Sequence, residues 1–361
     1  MDNTNTVHWM HISDLHRGQE RTEQVWSVVR QEIHNDIKAQ VQKNGPIDLV
    51  IFSGDMAFKG DKEEFASVKV ELDRLWATFN QLGLTPKLFI IPGNHDLIRP
   101  GKTSALLNFA DILRSKEEIR DELLSGNPSL YRVEVNTAFE NYMNFIGLIQ
   151  ESNIPLAMDK AGLFPGDSSC RFDANGLTVG LIGLNSTWTH LGKGDLKGKL
   201  DISVRQLNSV TDNDLACWAM QNHINLLVTH HPSSWLNKEA KDEFESEIFI
   251  PEYFDAHLFG HMHDNRPELS SVGAHHRRTI QASSLFGLEK TQESNDRRHG
   301  YYFAKFDANI DSCSFWPRRI EQKTGGVWQV AADSQLLSRD KQYFEQPWKA
   351  REVAGVDLKK T

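Results

Sequence analysis

The sequence predicts a layered α/β sandwich whose first half is built from parallel crossover units, with a helical insertion after the third strand. Three observations carry this. Apolar stretches of strand length alternate with helical stripes through the first hundred residues, the pattern of parallel crossover units. Short apolar runs recur through residues 177–316 and give a strand-rich second half. Between these, residues 97–175 separate two strand patterns by more chain than a structureless loop inside a domain normally uses, and helical patterns fill part of it.

The first apolar run, residues 7–12, ends at Ser13-Asp14-Leu15-His16. Val25, Val29, Ile33, Ile37 and Val41 then recur every four residues, so they share one face of a helix that Gly45-Pro46 stops. Residues 49–52 form the second strand, followed by Gly54-Asp55. Asp61 and Glu64 stand at capping-box spacing, and Phe65, Val68, Leu72, Leu75, Phe79 and Leu82 continue a second helix to Gly83. The third strand, residues 87–91, runs directly into Pro92-Gly93-Asn94-His95-Asp96. Within 97–175, residues 117–124 and 139–149 read as helices, and the insertion is expected to lie over the end of the sheet. Further strands are expected at 177–184, 224–228, 257–259, 279–282, 301–306 and 314–316. A single domain over residues 1–337 follows, with a polar tail over 338–361 whose large aromatics are Tyr343, Phe344 and Trp348.

Composition excludes several classes. Apolar residues at 39% and charged residues at 25% of 361 describe a globular chain, not a disordered, collagenous or disulfide-scaffold one. Forty basic against 49 acidic residues give a net charge of -9, so the surface as a whole is no grip for a phosphate backbone. Arg277 with Arg278, and Arg297, Arg298 and His299, remain as local basic clusters. No apolar run approaches the roughly 20 residues of a membrane helix. Three scattered cysteines, Cys170, Cys217 and Cys313, and a polar start without the marks of a secretory leader lead to the expectation of a cytoplasmic protein.

The chemistry lies at the strand exits. Asp14 and His16 follow the first strand, Asp55 the second, Asn94 and His95 the third, His230 the run at 224–228, and His261 and His263 the run at 257–259. Strand ends in open α/β sheets form ligand crevices, where residues distant in sequence converge. Two carboxylates, an amide oxygen and several imidazoles suit a first-row divalent ion. In Asp14-Leu15-His16 and His261-Met262-His263, an extended chain points both outer side chains the same way.

The blocks Asp14-Leu15-His16, Gly54-Asp55, Gly93-Asn94-His95-Asp96, His230-His231-Pro232 and Gly260-His261-Met262-His263 together resemble the five-block signature of calcineurin-like metallophosphoesterases, in the family's order. The resemblance covers residues 7 to about 320 and implies the family's two-sheet sandwich. It implies that Asp14, His16 and His263 hold one divalent ion, that Asn94, His230 and His261 hold the other, and that Asp55 bridges them. It places His95 beside the substrate phosphate as the catalytic acid, with Asn94 also contacting substrate, and His231 behind the ligand His230. Manganese is the first expectation, with iron, zinc, nickel or cobalt also suited. Two divalent ions and two carboxylates leave roughly +2 for an anionic phosphate. A water shared by both ions becomes acidic enough to supply the attacking hydroxide.

The serine/threonine phosphoprotein branch carries Asp-Arg-Gly after the second block and Glu after Asn-His. Here Met56-Ala57-Phe58 follows Asp55 and Asp96 follows His95, so the pattern resembles the bacterial phosphodiesterase-type branch. The expected substrate is a nucleotide-like or other small phosphodiester. The alternatives are a DNA or RNA nuclease of the same superfamily acting with a partner, and a metal-binding regulatory module with little turnover. The insertion and the tail are the expected sites for a partner protein or a second copy.

Several residues have competing structural readings. Arg17 and Asn185 are candidate substrate contacts, against a surface arginine and a loop cap. Trp188, Trp235 and Phe286 are candidates to stack a base or aryl group, against core packing. His11 is a candidate to support the ligands from behind, and the histidines at 8, 34, 190, 223, 257, 275, 276 and 299 are assigned no metal role.

Overall fold

A computed structural model describes residues 4–101, 111–113, 116–192, 195–262, 267–272, 275–285 and 299–353. His263, Phe286, Arg297 and Arg298 lie outside the described residues. Strand β1 (Thr6–Ile12) leads through helix α1 (Glu20–Asn44) to β2 (Leu49–Phe52), and α2 (Lys62–Gln81) leads to β3 (Lys87–Ile90). β1 pairs parallel with β2 and β2 with β3, so Ile12, Phe52 and Ile90 align at one end. These strands are apolar on both faces because both are covered. Met10, Ile12, Val50, Phe52, Leu88 and Ile90 pack toward α1 and α2, while Val7, Trp9, Leu49, Ile51, Phe89 and Ile91 pack toward the second sheet. Asp61 and Glu64 form the expected capping box at the start of α2.

The insertion supplies α3 (Glu117–Leu124), α4 (Leu130–Ala138) and α5 (Glu140–Gln150). Sequence reading missed α4, whose start is capped by the Ser129 hydroxyl accepting from the Arg132 N–H. The insertion does not simply cover the strand ends. α5 packs beside α2, with Phe145 stacked 5.1 Å from Phe65, and the chain at Pro155 and Ala157 hydrogen-bonds along the Leu88 edge of β3. Nor is it helical to residue 175. After the short β4 (Lys160–Ala161), β5 (Ser168–Ala174) forms an antiparallel hairpin with β6 (Leu177–Gly183). Its alternation of buried Ser168, Cys170 and Phe172 is weak in apolar residues, which hid the strand.

The second sheet continues through α6 (Val204–Val210) and α7 (Leu215–Met220) to β7 (Ile224–Val228). A short helix α8 (Lys238–Glu243) then leads to β8 (Ala256–Phe259), β9 (Pro267–Val272) and β10 (His275–Gln281). Its order is β4-β5-β6-β7-β8-β10-β9, with β6, β7 and β8 parallel. The chain returns to the first sheet in β11 (His299–Asp307), β12 (Ser312–Gln322) and β13 (Trp328–Ala332), giving the order β13-β12-β11-β1-β2-β3.

The polar tail docks back. β14 (Phe344–Pro347) pairs antiparallel with β12, and Trp348, 1% exposed, closes the inter-sheet core against Trp9, Phe306 and Phe315. Burying one such aromatic outweighs the polarity of its neighbours, because a large side chain removed from water is worth roughly 2 to 3 kcal/mol. Arg278 lies over Trp348 and donates to the Pro347 carbonyl, while Arg277 donates to the Glu245 carbonyl. This basic pair is therefore engaged in holding the chain together. Among the described residues, no helix is long and apolar enough to cross a membrane.

Candidate metal centre

The parallel strands of both sheets deliver their exits to one crevice. Asp14 and His16 leave β1, Asp55 leaves β2, Asn94 follows β3, His230 follows β7 and His261 follows β8. The turns are tight. Asp14, His16, Asp55 and His261 all hold left-handed backbone, with φ of 54°, 49°, 56° and 68°. Non-glycine residues seldom adopt this region, and strain of this kind gathers at functional sites. Gly93 is required by close approach, since a Cβ there would stand 2.1 Å from Asp55 Oδ1. Gly54 combines a φ of 98° with a Cβ position 2.6 Å from His230 Nδ1.

Asp14, His16, Asp55, Asn94 and His230 are all buried. His16 Nε2 lies 3.7 Å from Asp14 Oδ1 and 4.0 Å from Asp55 Oδ2. His230 Nε2 lies 3.2 Å from the same Asp55 oxygen and 3.2 Å from Asn94 Oδ1. His261 donates its backbone N–H to Asp14 Oδ2 at 3.1 Å, and its ring stands 5.1 Å from that of His230. Three overlapping groups keep their ligand atoms within 4.8 Å of one another: Asp14, Asp55 and His230; His16, Asp55 and His95; His230, His231 and His261.

The electrostatics test whether a cation fits. Burial alone would raise the Asp55 carboxyl, but the charges of His230, His95 and His16 outweigh it and hold it well below the usual carboxylate range. Burial alone would lower His230, yet the charges of Asp55 and Asp14 and hydrogen bonds to Asp55 and the Ser53 carbonyl raise it to about 9. A proton on His230 Nε2 thus takes the position of a positive charge between carboxylate and amide oxygens. His231 and His261 are lowered well below their ordinary value, first by burial and then by neighbouring imidazoles, which keeps them neutral and able to ligate. The donors fit a divalent ion: oxygen and nitrogen atoms, two carboxylates, and an environment that recruits positive charge.

Supporting contacts orient the ligands. His230 Nδ1–H donates to the Ser53 carbonyl at 2.7 Å, leaving Nε2 for the centre, whereas His231 lies 3.1 Å from the Ser186 hydroxyl and 3.2 Å from His190. His11 Nε2 bonds to the Ser53 hydroxyl at 2.9 Å, directly behind the same strand exit. His95 donates its backbone N–H to Asp55 Oδ1 at 2.7 Å, and its Nδ1 lies 2.6 Å from the Phe58 carbonyl. The Phe58 ring stacks on the imidazole at 5.5 Å.

Two supporting residues, Asp96 and Glu64, have no role assigned from sequence. Asp96 accepts from the N–H groups of Gly93 and Ala57, both at 2.8 Å, and so ties the third block to the second. Burial, then the nearby Asp55 charge, raises its carboxyl to about 7. Glu64 accepts from the N–H groups of Phe58 and Lys59, fixing the turn that carries the Phe58 carbonyl. Only its capping-box spacing was visible in the sequence.

Other expected contacts fall elsewhere. Arg17 Nη2 stands 3.9 Å from Glu71 and its guanidinium 5.8 Å over Trp26, which places it between α1 and α2. Asn185 is a loop cap: Nδ2 donates to the Pro165 carbonyl, and Oδ1 accepts from the N–H and hydroxyl of Thr187. Trp188 is fully buried and stacked 4.5 Å from Phe164, so core packing prevails there. Trp235 stands edge-on to His261 at 4.1 Å, on the crevice rim.

The sequence matches the model of the calcineurin-like phosphoesterase family over residues 8–265. The chain belongs to that family. Calcineurin-like phosphoesterases hydrolyse phosphoesters with bound metal, and the Asp and His groups above are the candidate ligands of this member. Comparison with curated proteins returns no match. Among solved structures, the chain is similar to GAP50, described as the anchor in the inner membrane complex of Plasmodium. The identity is 9% and the TM-score 0.47, covering 98% of this chain and 91% of that one. It is also similar to the purple acid phosphatase PPD1 of yellow lupin, Lupinus luteus, at 10% identity and TM-score 0.48 over 93% of this chain and 56% of that one. Vps29 of Chaetomium thermophilum shares 10% identity at TM-score 0.33, covering 96% and 98%. Such slight likeness has no bearing on what this phosphoesterase hydrolyses.

Proposed function

We propose that this calcineurin-like phosphoesterase is a dinuclear-metal phosphodiesterase acting on nucleotide-like or other small diesters. The observation that supports the reading is the sharing of Asp55, whose Oδ2 lies 4.0 Å from His16 Nε2 and 3.2 Å from His230 Nε2. One carboxylate common to two groups of ligand atoms is the arrangement a bridging ligand needs. Asp14, His16 and His263 then complete one site, and Asn94, His230 and His261 the other, with manganese as the first candidate.

Bound divalent ions would supply Lewis acidity toward phosphoryl oxygens and acidify water. The chain's own residues do the rest. Asn94 and His95 flank the substrate phosphate, and the Phe58 carbonyl holds His95 through Nδ1, so that Nε2 is the atom that passes a proton to the leaving oxygen. General acid help of this kind is typically worth about 10²- to 10⁴-fold. The absence of an Asp-Arg-Gly segment after Asp55 supports a small diester over a phosphoprotein. A cytoplasmic location is part of this reading, supported by three free cysteines, one of them exposed.

The test is a panel on manganese-reconstituted protein: cyclic nucleotides, bis(p-nitrophenyl) phosphate, p-nitrophenyl phosphate, RNA, and single- and double-stranded DNA. Faster turnover of the small diesters is the expected result. Preference for the monoester, or for nucleic acid with strong salt dependence, overturns the substrate assignment.

A further inference from the structure

Arg99 stands five residues beyond Asn94, where the chain leaves the third block for the insertion. Its backbone position is fixed from two sides. Ile98 N–H donates to the Ala138 carbonyl at 2.7 Å, and Leu97 presses so closely on Gly60 that a Cβ there would meet Leu97 backbone atoms at 2.8 Å. From this anchored segment the half-buried guanidinium reaches back to the crevice. Nη1 donates to the Gly192 carbonyl at 2.8 Å, and Nη2 has only a long contact, 3.5 Å, with the Asn94 carbonyl.

Among the described residues, no carboxylate lies within ion-pair distance of it. Other arginines, from buried Arg318 to exposed Arg74, are differently placed. Arg30 and Arg74 pair with Glu71, Arg120 with Asp201 and Glu243, and Arg318 with Asp36. Arg132 also lacks a direct ion pair, but its two amino groups are taken by the carbonyls of Leu123 and Leu163. Arg99 instead keeps Nη2 and Nε available at the crevice wall, between the Asn94 turn and the loop carrying His190, and its charge acts on both Asp55 and His190.

A half-buried cation with no counter-charge is costly unless an anion arrives to pair with it. We propose that Arg99 is a substrate-binding residue, donating through Nη2 and Nε to a non-bridging oxygen of the phosphate held beside Asn94 and His95. The planar fork of a guanidinium matches two phosphate oxygens, or one oxygen through two N–H groups, which a lysine does not reproduce. Gly192 fixes the far side of the fork, so little side-chain freedom is lost when phosphate binds. This assignment rests on the phosphoesterase reading of the site.

The test is calorimetric titration of inorganic phosphate into manganese-loaded protein, alongside metal content and diester kinetics. Arg99→Gln keeps a donor for the Gly192 carbonyl but removes the charge. It is expected to bind phosphate about 10- to 100-fold more weakly and to raise KM for bis(p-nitrophenyl) phosphate, with metal content unchanged. Arg99→Lys is expected to fall between Gln and wild type. Arg99→Gln with wild-type phosphate affinity overturns the assignment, and so does loss of metal from that variant, since the residue would then act on assembly of the centre. Wild type that binds phosphate yet cleaves no diester overturns the diester reading alone and leaves the Arg99 comparison intact.

Discussion

Two clusters of buried carboxylate in this molecule are neutralised in opposite ways. On the outer face of the first sheet, Asp36 of α1 meets Arg318 of β12, with side chains 8% and 6% exposed. Arg318 Nε donates to Oδ2 at 2.9 Å, and the Tyr301 hydroxyl donates to the same oxygen at 2.7 Å. At the strand exits, Asp14 and Asp55 are as deeply buried but are surrounded by His16, His95, His230 and His261. A guanidinium never deprotonates in a protein, so the first cluster carries its own permanent counter-charge and serves as a rivet. Imidazoles give up a proton readily and ligate metals when neutral, so the second cluster leaves its counter-charge exchangeable. The difference separates a structural ion pair from a metal centre although both begin with a buried aspartate.

Removal of the shared carboxylate has the largest expected effect. Asp55→Ala is expected to lose bound metal, measured by elemental analysis after desalting, and with it turnover on the order of 10³-fold or more. The basis is that metal Lewis acidity supplies several kcal/mol of transition-state stabilisation. Retention of full metal by that variant would remove the case for a bridging ligand. His95→Ala separates roles within the centre: bound metal is expected to stay, KM to change little, and kcat to fall about 10²- to 10⁴-fold. Wild-type turnover in that variant would end the assignment of His95 as acid.

At the rivet, Arg318→Met is expected to cost roughly 3 to 5 kcal/mol in urea unfolding by leaving the buried Asp36 charge without its cation, with the Tyr301 hydroxyl still donating to it, while metal content and activity per folded molecule stay unchanged. Adding Asp36→Asn should recover much of that loss, which a double-mutant cycle reads directly. Chelation works the other way round. Removing metal should lower Tm in wild type and in Arg318→Met alike, and manganese at about 100 times its dissociation constant should restore about 2.7 kcal/mol.

A further effect is expected from pH. His11 and His257 are fully buried, and burial lowers each to about 3. An unfolded chain takes up protons near 6.5 that the folded one refuses, so stability present above that pH is lost progressively as pH falls toward 3. His257→Gln should flatten part of this slope in acid unfolding followed by circular dichroism. An unchanged slope would show that this histidine is not a source of the acid lability.

Much of the centre is legible in the sequence, for a physical reason. Parallel strands in register end together, so a residue just past an apolar run is placed at the crevice by topology, and Asp14, Asp55, Asn94 and His230 all meet that condition. Arg17 and Asn185 meet it too, yet Glu71 and the Pro165 turn hold them elsewhere. Proximity in sequence to a ligand does not say which way a long or amide side chain turns. Arg99 was overlooked for the complementary reason: it follows no strand directly, and its place depends on Gly60, Ala138 and Gly192, contacts from three distant stretches.

Hydrophobic period and turn residues are local properties of the chain, and they suffice for the layered α/β class, the crossover helices and the five blocks at the strand exits. Long-range packing is what makes residues 168–174 part of a sheet, docks the tail through Trp348, and lets Phe58 and Glu64 orient His95. Each of these outcomes depends on a surface offered by a remote segment: an unpaired edge, an uncovered core, or a carbonyl turned toward a ring. Such surfaces exist only once the chain has folded.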